Sequence, residues 1–153
     1  MNWTLLDFVV FGAMVGVAGG VVVLAMLLSS NTFYRAGVLV AAAAAFMVVW
    51  SALAVGIIGD EQNGANYLYF AALAIAPMGA AMSGFRARGM AVAMYTTAIA
   101  LVSVGLGALI FRWGADAQDT LRGIAIGSGF FPALFAGSGW LFLQAAKGGM
   151  RAT

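Results

Sequence analysis

The sequence predicts an all-α integral membrane protein, a single transmembrane domain over residues 1–153 built as a five-helix bundle with short loops. Three observations carry this. Of 153 residues, 64% are apolar and 8% charged, with a mean hydropathy of +1.03, whereas a water-soluble domain needs roughly a quarter charged residues to coat its surface. Apolar blocks recur between short polar joints, each near the roughly 20 residues that span a ~30 Å hydrocarbon core. The basic residues alternate between joints, as they do when successive joints lie on opposite sides of a membrane.

The first block runs from Leu5 to Leu28. No basic residue precedes it, and it ends Leu-Leu-Ser-Ser-Asn rather than in a small-residue cleavage site, so it reads as a retained helix and not a signal peptide. The second runs from Ala36 to Ile58. Its strongly apolar residues, Val38, Leu39, Phe46, Val48 and Ile57 among them, favour insertion by roughly 3 to 6 kcal/mol. The third, Tyr67 to Gly84, has only Leu68, Phe70, Leu73 and Ile75 to contribute about 1 to 2 kcal/mol, less the effect of Pro77 and Gly79, so it leans on its neighbours. The fourth is Met90 to Phe111 and the fifth Ile124 to Ala145. Pro77 and Pro132 are each expected to bend a helix.

Arg35, Arg86, Arg88, Lys147 and Arg151 fall on one side of this arrangement, and Arg112 with Arg122 on the other, accompanied by Asp116 and Asp119. Five against two places the N-terminus outside and the C-terminus in the cytoplasm. The same scatter, at a net charge of +2, gives no basic patch for nucleic acid.

The chain has no histidine and no cysteine. That excludes bis-histidine haem, thiolate clusters, the usual zinc sites, disulfides and any Ser-His or Cys-His nucleophile. No ionisable residue falls near the middle of a block, which weighs against proton-coupled transport. Neither catalytic residue, metal ligand nor cofactor is expected.

Two sets of residues stand out. Gly12, Gly16 and Gly20 form overlapping GxxxG steps on the first helix, Gly123 and Gly127 begin a similar face on the fifth, and Thr96, Ala100, Ser103 and Gly107 trace a small-residue stripe on the fourth. Small residues let helix backbones approach closely in lipid. For the first helix an intramolecular contact is favoured, since five short-looped helices need close internal packing. The fifth helix repeats Gly-Ser-Gly-aromatic at Gly127 to Phe130 and Gly137 to Trp140, on about the same side with Pro132 between; without a histidine base neither is a nucleophile elbow. The buried polar groups Ser51, Tyr95, Thr96, Thr97, Ser103 and Ser138 are expected to bond to carbonyls or across helices. The second set is polar and external: Asp7, Asp60, Glu61, Asn63 and Asn66 could offer hard oxygen ligands to a cation. The stronger expectation is structural, with Asn63-Gly64 as a turn, Asn66 capping the third helix, and Asp7 as an interfacial carboxylate in a first turn.

The runs Asn2-Trp3-Thr4-Leu5-Leu6-Asp7-Phe8-Val9-Val10, Asn31-Thr32-Phe33-Tyr34-Arg35-Ala36 and Ala54-Val55-Gly56-Ile57-Ile58-Gly59-Asp60-Glu61-Gln62-Asn63-Gly64-Ala65-Asn66 resemble a group of small uncharacterised bacterial multi-helix inner-membrane proteins. The resemblance covers about residues 2–113; those proteins have four helices and usually Pro where Gly64 stands, so the fifth helix is a departure. It implies a fold and a multi-pass location in a bacterial inner (plasma) membrane, and no functional residue.

The expected function is a non-enzymatic packing or accessory component of the membrane, with membrane lipids and a second copy or a larger membrane complex as partners. The alternative is a small channel or transporter for a neutral or lipid-like solute, on the strength of prolines and glycines that permit broken helices. A membrane enzyme ranks third, with only Asp7, Asp60, Glu61, Asp116 and Asp119 as carboxylates to draw on.

Overall fold

The computed structural model describes residues 5–54, 56–59, 62–113 and 120–150. They form α1 (Leu5–Leu28), α2 (Thr32–Ala54), α3 (Tyr67–Met82), α4 (Ala87–Ile110), α5 (Thr120–Ala125) and α6 (Phe131–Met150), with no strand among the described residues. A 3-10 turn, Gly64–Asn66, leads into α3, and a π-helical turn, Ile126–Phe130, joins α5 to α6. Five helical segments are long and apolar enough to cross a membrane, the fifth running through the π turn.

Local polar chemistry sets several ends where hydropathy had placed them elsewhere. α2 starts at Thr32, ahead of the expected Ala36, because Asn31 Oδ1 accepts the Tyr34 N–H at 3.1 Å and so caps the helix. It stops at Ala54 rather than Ile58: Gly56, at φ 78°, donates its N–H to the Ser51 carbonyl at 3.0 Å and turns the chain out of the helix. Ile57 and Ile58 are therefore buried loop residues, not part of a span. After α3, the Gly84 N–H bonds to the Ala81 carbonyl and the Phe85 N–H to the Ala80 carbonyl, both at 3.0 Å. This is the Schellman pair of bonds, with Gly84 left-handed at φ 58° and Phe85 held at φ 59° as well.

The π turn has a cause in Pro132. Proline offers no N–H to the carbonyl four residues back, here Ser128, and its ring presses on that carbonyl. Widening the turn over Ile126–Phe130, with the Phe131 N–H bonding to the Ile126 carbonyl, moves the helix past the proline without ending it. Pro77 lies inside α3, which continues through it to Met82.

Helices pack side by side in the order α1, α2, α6, α4, α3, while α2 and α3 share little contact. The core is built largely from alanine, including Ala44, Ala52, Ala91, Ala98 and Ala108, with Tyr69, Leu101, Phe135 and Phe142 filling the space between. Glycines mark the tightest approaches: a Cβ on Gly37 would stand 3.2 Å from the Phe142 ring, and one on Gly79 2.6 Å from the Ala93 Cβ. Large apolar side chains such as Val92, Ile99, Leu106 and Ile110 are exposed instead. Small residues inside and large ones outside is the pattern that suits backbones approaching closely in an apolar solvent.

α1 departs from this. Only 6% of its apolar window is buried, against 28 to 39% in the other four. It lies along α2, where Phe11 meets Phe46 and Trp50 edge-on at centroid distances of 5.8 and 5.2 Å. At its other end Arg35 donates from Nε to the Ser29 carbonyl at 2.6 Å and from Nη2 to the Met26 carbonyl at 2.8 Å, serving the last carbonyls of the helix.

Candidate functional site

Because α1 packs mainly on α2 and α2 scarcely meets α3, the two outer helices stand apart and leave a cleft of about 710 Å³ between them. α1 lines one wall with residues from Val10 to Leu28, and α3 lines the other with Phe70, Leu73, Ala74 and Pro77. The floor is α2, with Val38, Ala41, Ala45 and Val49, together with Met90, Met94 and Phe135. Every side chain named is apolar. The volume lies within the roughly 300 to 1,000 Å³ usual for ligand pockets, though the lining lacks the few convergent polar groups that normally orient a small polar ligand.

Polarity appears at one end. Tyr34, buried on α2, stands edge-on to Phe142 and donates its hydroxyl to the Phe85 carbonyl at 2.9 Å. On the far side of Tyr34 and Phe85 lies a second cavity of about 390 Å³, bordered by Leu28, Ser29, Asn31, Gly84, Ala87 and Ala145. Leu28, Tyr34 and Phe85 line both spaces. The end of α6 closes in here too, a Cβ on Gly148 standing 3.6 Å from Asn31 Nδ2. Arg35, Arg86, Arg88 and Lys147 belong to this same end of the bundle, which collects the end of α1, the start of α2, the α3 to α4 turn and the end of α6. Arg86 sits at the N-cap of α4 with no side-chain bond closing the helix.

At the opposite end the π turn forms a packed polar joint. Tyr69 and Ser128 share a hydrogen bond of 3.0 Å, and Gly105 of α4 faces Ser128 so closely that a Cβ there would collide with it. Asn66, buried, accepts the Ile57 and Ile58 N–H groups at 2.9 Å each and donates from Nδ2 to the Ile58 carbonyl at 3.3 Å. That fixes Ile57 against Gly123 and Gly127, where a Cβ at Gly127 would also stand 2.8 Å from the Tyr69 hydroxyl. Among the described residues no buried side-chain polar atom lacks a hydrogen bond, and the close contacts make this joint one that positions helices.

The residues singled out from the sequence divide accordingly. Gly123 and Gly127 lie in tight contacts within the chain, though with the loop at Ile57 and with Tyr69. Gly12, Gly16 and Gly20 do not: a Cβ on any of them would meet nothing within 4 Å, so the favoured intramolecular contact is not made. The stripe read on α4 lies on its outer flank. Ser103 and Thr96 are exposed and bond back to the Ile99 and Val92 carbonyls at 2.9 Å, and a Cβ on Gly107 would stand 3.4 Å from the Trp113 ring; the packing glycine is Gly105, on the neighbouring face with Thr97 and Leu101. Of the external polar set, Asn63 accepts the Ala65 N–H at 3.0 Å, and Asn66 occupies the N-cap position of α3 without capping it, its side chain being taken by Ile57 and Ile58. Asp60, Glu61, Asp116, Asp119, Arg151 and the side chain of Asp7 lie outside the described residues.

The two Gly-Ser-Gly copies serve different neighbours, since ten residues fall about 80° short of three turns. Ser128 turns to Tyr69 of α3, whereas Ser138, fully buried, donates to the Gly37 carbonyl of α2 at 2.8 Å. The cleft itself was not read from the sequence, because its lining is spread over five helices and consists of the commonest residues in the chain. Family models, curated proteins and solved structures were all compared with the chain, and none matches it.

Proposed function

We propose that this chain is a multi-pass integral membrane protein that works by holding a lipid-like apolar chain in the cleft between α1 and α3, by binding and not by catalysis. One observation carries the reading: a cleft of about 710 Å³ between α1 and α3, apolar but for Tyr34 at one end, that is part of the fold and is filled by none of the chain's own side chains. It favours the lipid-like solute over the pure packing role. The exposed large apolar residues make lipid the fitting solvent, and the gathering of Arg35, Arg86, Arg88 and Lys147 at one end supports a cytoplasmic placement for that end. A phospholipid carrying a photoreactive group in mid-chain tests it. Cross-links should concentrate at Val17, Ala42 and Phe70 in the cleft, over Val92, Ile99 and Leu106 on the outer face of α4. Equal labelling of both sets would mean ordinary annular lipid and would sink the proposal.

A packing or accessory role keeps one specific support, the open face at Gly12, Gly16 and Gly20. Gly16→Leu should then dissolve an oligomer or complex while the isolated chain stays folded; an unchanged assembly would show that this face meets only lipid.

A further inference from the structure

Resting on that reading, we infer that the cleft takes one uncharged hydrocarbon chain longer than a single leaflet, of the polyprenyl class, in preference to the shorter tails of a phospholipid. Length carries the argument. Val10 to Leu28 on α1 cover about 27 Å at the helical rise, and Tyr34 to Val49 on α2 about 22 Å. A hydrocarbon core is about 30 Å thick, so one leaflet supplies about 15 Å. The α3 wall, Phe70 to Ala80, is centred on that helix and so crosses the midplane of the span instead of stopping at it. A phospholipid is anchored by its headgroup at one surface, and its tails fill about half of such a cleft. Filling the rest takes a second molecule from the other leaflet. Each of the two then loses its freedom separately, whereas one long chain loses it once.

Width and lining fit the same occupant. Spread along about 27 Å, a volume of about 710 Å³ averages about 26 Å² in cross-section, about a third of what a helix 10 Å across needs. A helix of a second copy is therefore too thick, and a single hydrocarbon chain is not. None of the described residues lining the cleft is charged, and the hydroxyl of Tyr34, the one polar side chain among them, donates to the Phe85 carbonyl. No lining side chain offers a charge to a phosphate, so selection falls on the chain. Ala13, Ala41, Ala45 and Ala74 are short, which leaves width for the methyl branches of an isoprenoid, and Met90 and Met94, unbranched and soft, re-pack around them.

The test is lipid counting by native mass spectrometry on the protein in mild detergent, titrated with farnesol, hexaprenol, decaprenol or dioleoyl phosphatidylcholine. An extended covalent chain gains roughly 1.2 Å per bond, so the three isoprene units of farnesol reach about 14 Å and the six of hexaprenol about 29 Å. Hexaprenol should bind about tenfold more tightly than farnesol or the phosphatidylcholine, and the further units of decaprenol, which find no more wall, should add nothing. Ala74→Phe, at an exposed residue in the middle of the α3 wall, should weaken hexaprenol about fivefold and leave farnesol, which fits in either half, unaffected. Should that variant not fold, the levelling-off between hexaprenol and decaprenol decides the matter on the parent protein. A steady rise in binding through decaprenol is the mark of partition into the micelle and overturns the inference. Equal binding of farnesol, hexaprenol and phosphatidylcholine, all weakened by Ala74→Phe, overturns the length selection and leaves the cleft reading standing. Binding of every chain that survives Ala74→Phe unchanged overturns both.

Discussion

Asn66→Ala should be among the most damaging single changes in this chain, although the residue lies outside the long helices. Its Oδ1 accepts from two buried N–H groups, those of Ile57 and Ile58, each at 2.9 Å, and its Nδ2 adds a longer bond of 3.3 Å to the Ile58 carbonyl. At 3% exposure water does not readily replace these contacts. Each buried donor left unpaired costs about 1 to 3 kcal/mol, so two donors give about 2 to 4 kcal/mol once some relaxation is allowed, the long carbonyl bond adding little. The loss then spreads, because Ile57 is what packs on Gly123 and Gly127 of the fifth span. Asn63→Ala is the matched control: it removes a single part-buried bond, to the Ala65 N–H at 3.0 Å, and should cost about 0.5 to 1 kcal/mol. Reversible unfolding in mixed micelles, titrated with a denaturing detergent, measures both. Equal costs for the two variants, or an Asn66→Ala protein within about 0.5 kcal/mol of the parent, would refute the view that this side chain pins the loop.

Other perturbations separate the packed from the open parts of the fold. Gly105→Val should destabilise the chain by about 1 to 3 kcal/mol in the same assay, since the new side chain collides with Ser128, whereas Gly12→Val on α1 should leave the isolated chain's stability unchanged. Tyr34→Phe removes the hydroxyl bonded to the Phe85 carbonyl and should cost about 1 kcal/mol while leaving cleft volume intact, which lipid counting would register as unchanged tail binding. Single cysteines at Gln62 and Gly149, in a chain that has none, report sidedness: an impermeant thiol reagent on intact cells should label Gln62 and spare Gly149, and the reverse pattern would invert the orientation.

The number of long apolar helices was legible because twenty-residue hydropathy is a strong, local signal; α1 covers Leu5–Leu28 as expected. What the signal could not carry was phase. On helices apolar all round, no polar face marks the outside, so the sequence offers Thr96, Ala100, Ser103 and Gly107 as a packing stripe, whereas the buried row runs through Thr97, Leu101 and Gly105. Hydropathy also cannot distinguish an isoleucine in a span from one in a plug, and Ile57 and Ile58 were counted in the span for that reason. The cue that would have separated them was Gly56 followed by Gly59, two glycines that adopt φ 78° and 72°. Asn66 reads from the sequence as a cap of the third helix, which it precedes directly. Its partners, Ile57 and Ile58, precede the turn and not the helix.

The cleft was illegible for a deeper reason, and the same reason bears on what it does. In water, an apolar opening of about 710 Å³ would be closed by collapse of α1 onto α3, because burying that surface removes it from solvent. In lipid the drive is absent: tails are as apolar as leucine, so helices come together only where small residues allow close contact or polar groups bond across. α3 and α4 have such a contact at Gly79 and Ala93, and α2 and α6 have one at Gly37, with Ser138 bonding across. The walls of the cleft have neither, since the glycines of α1 face elsewhere and the α3 wall presents Phe70, Leu73 and Pro77. The fold therefore gives α1 no cause to close, while Phe11 and Arg35 hold it to α2 at both ends. In a bilayer, a space kept open in this way is filled by the apolar chains around it and not by the chain's own helices.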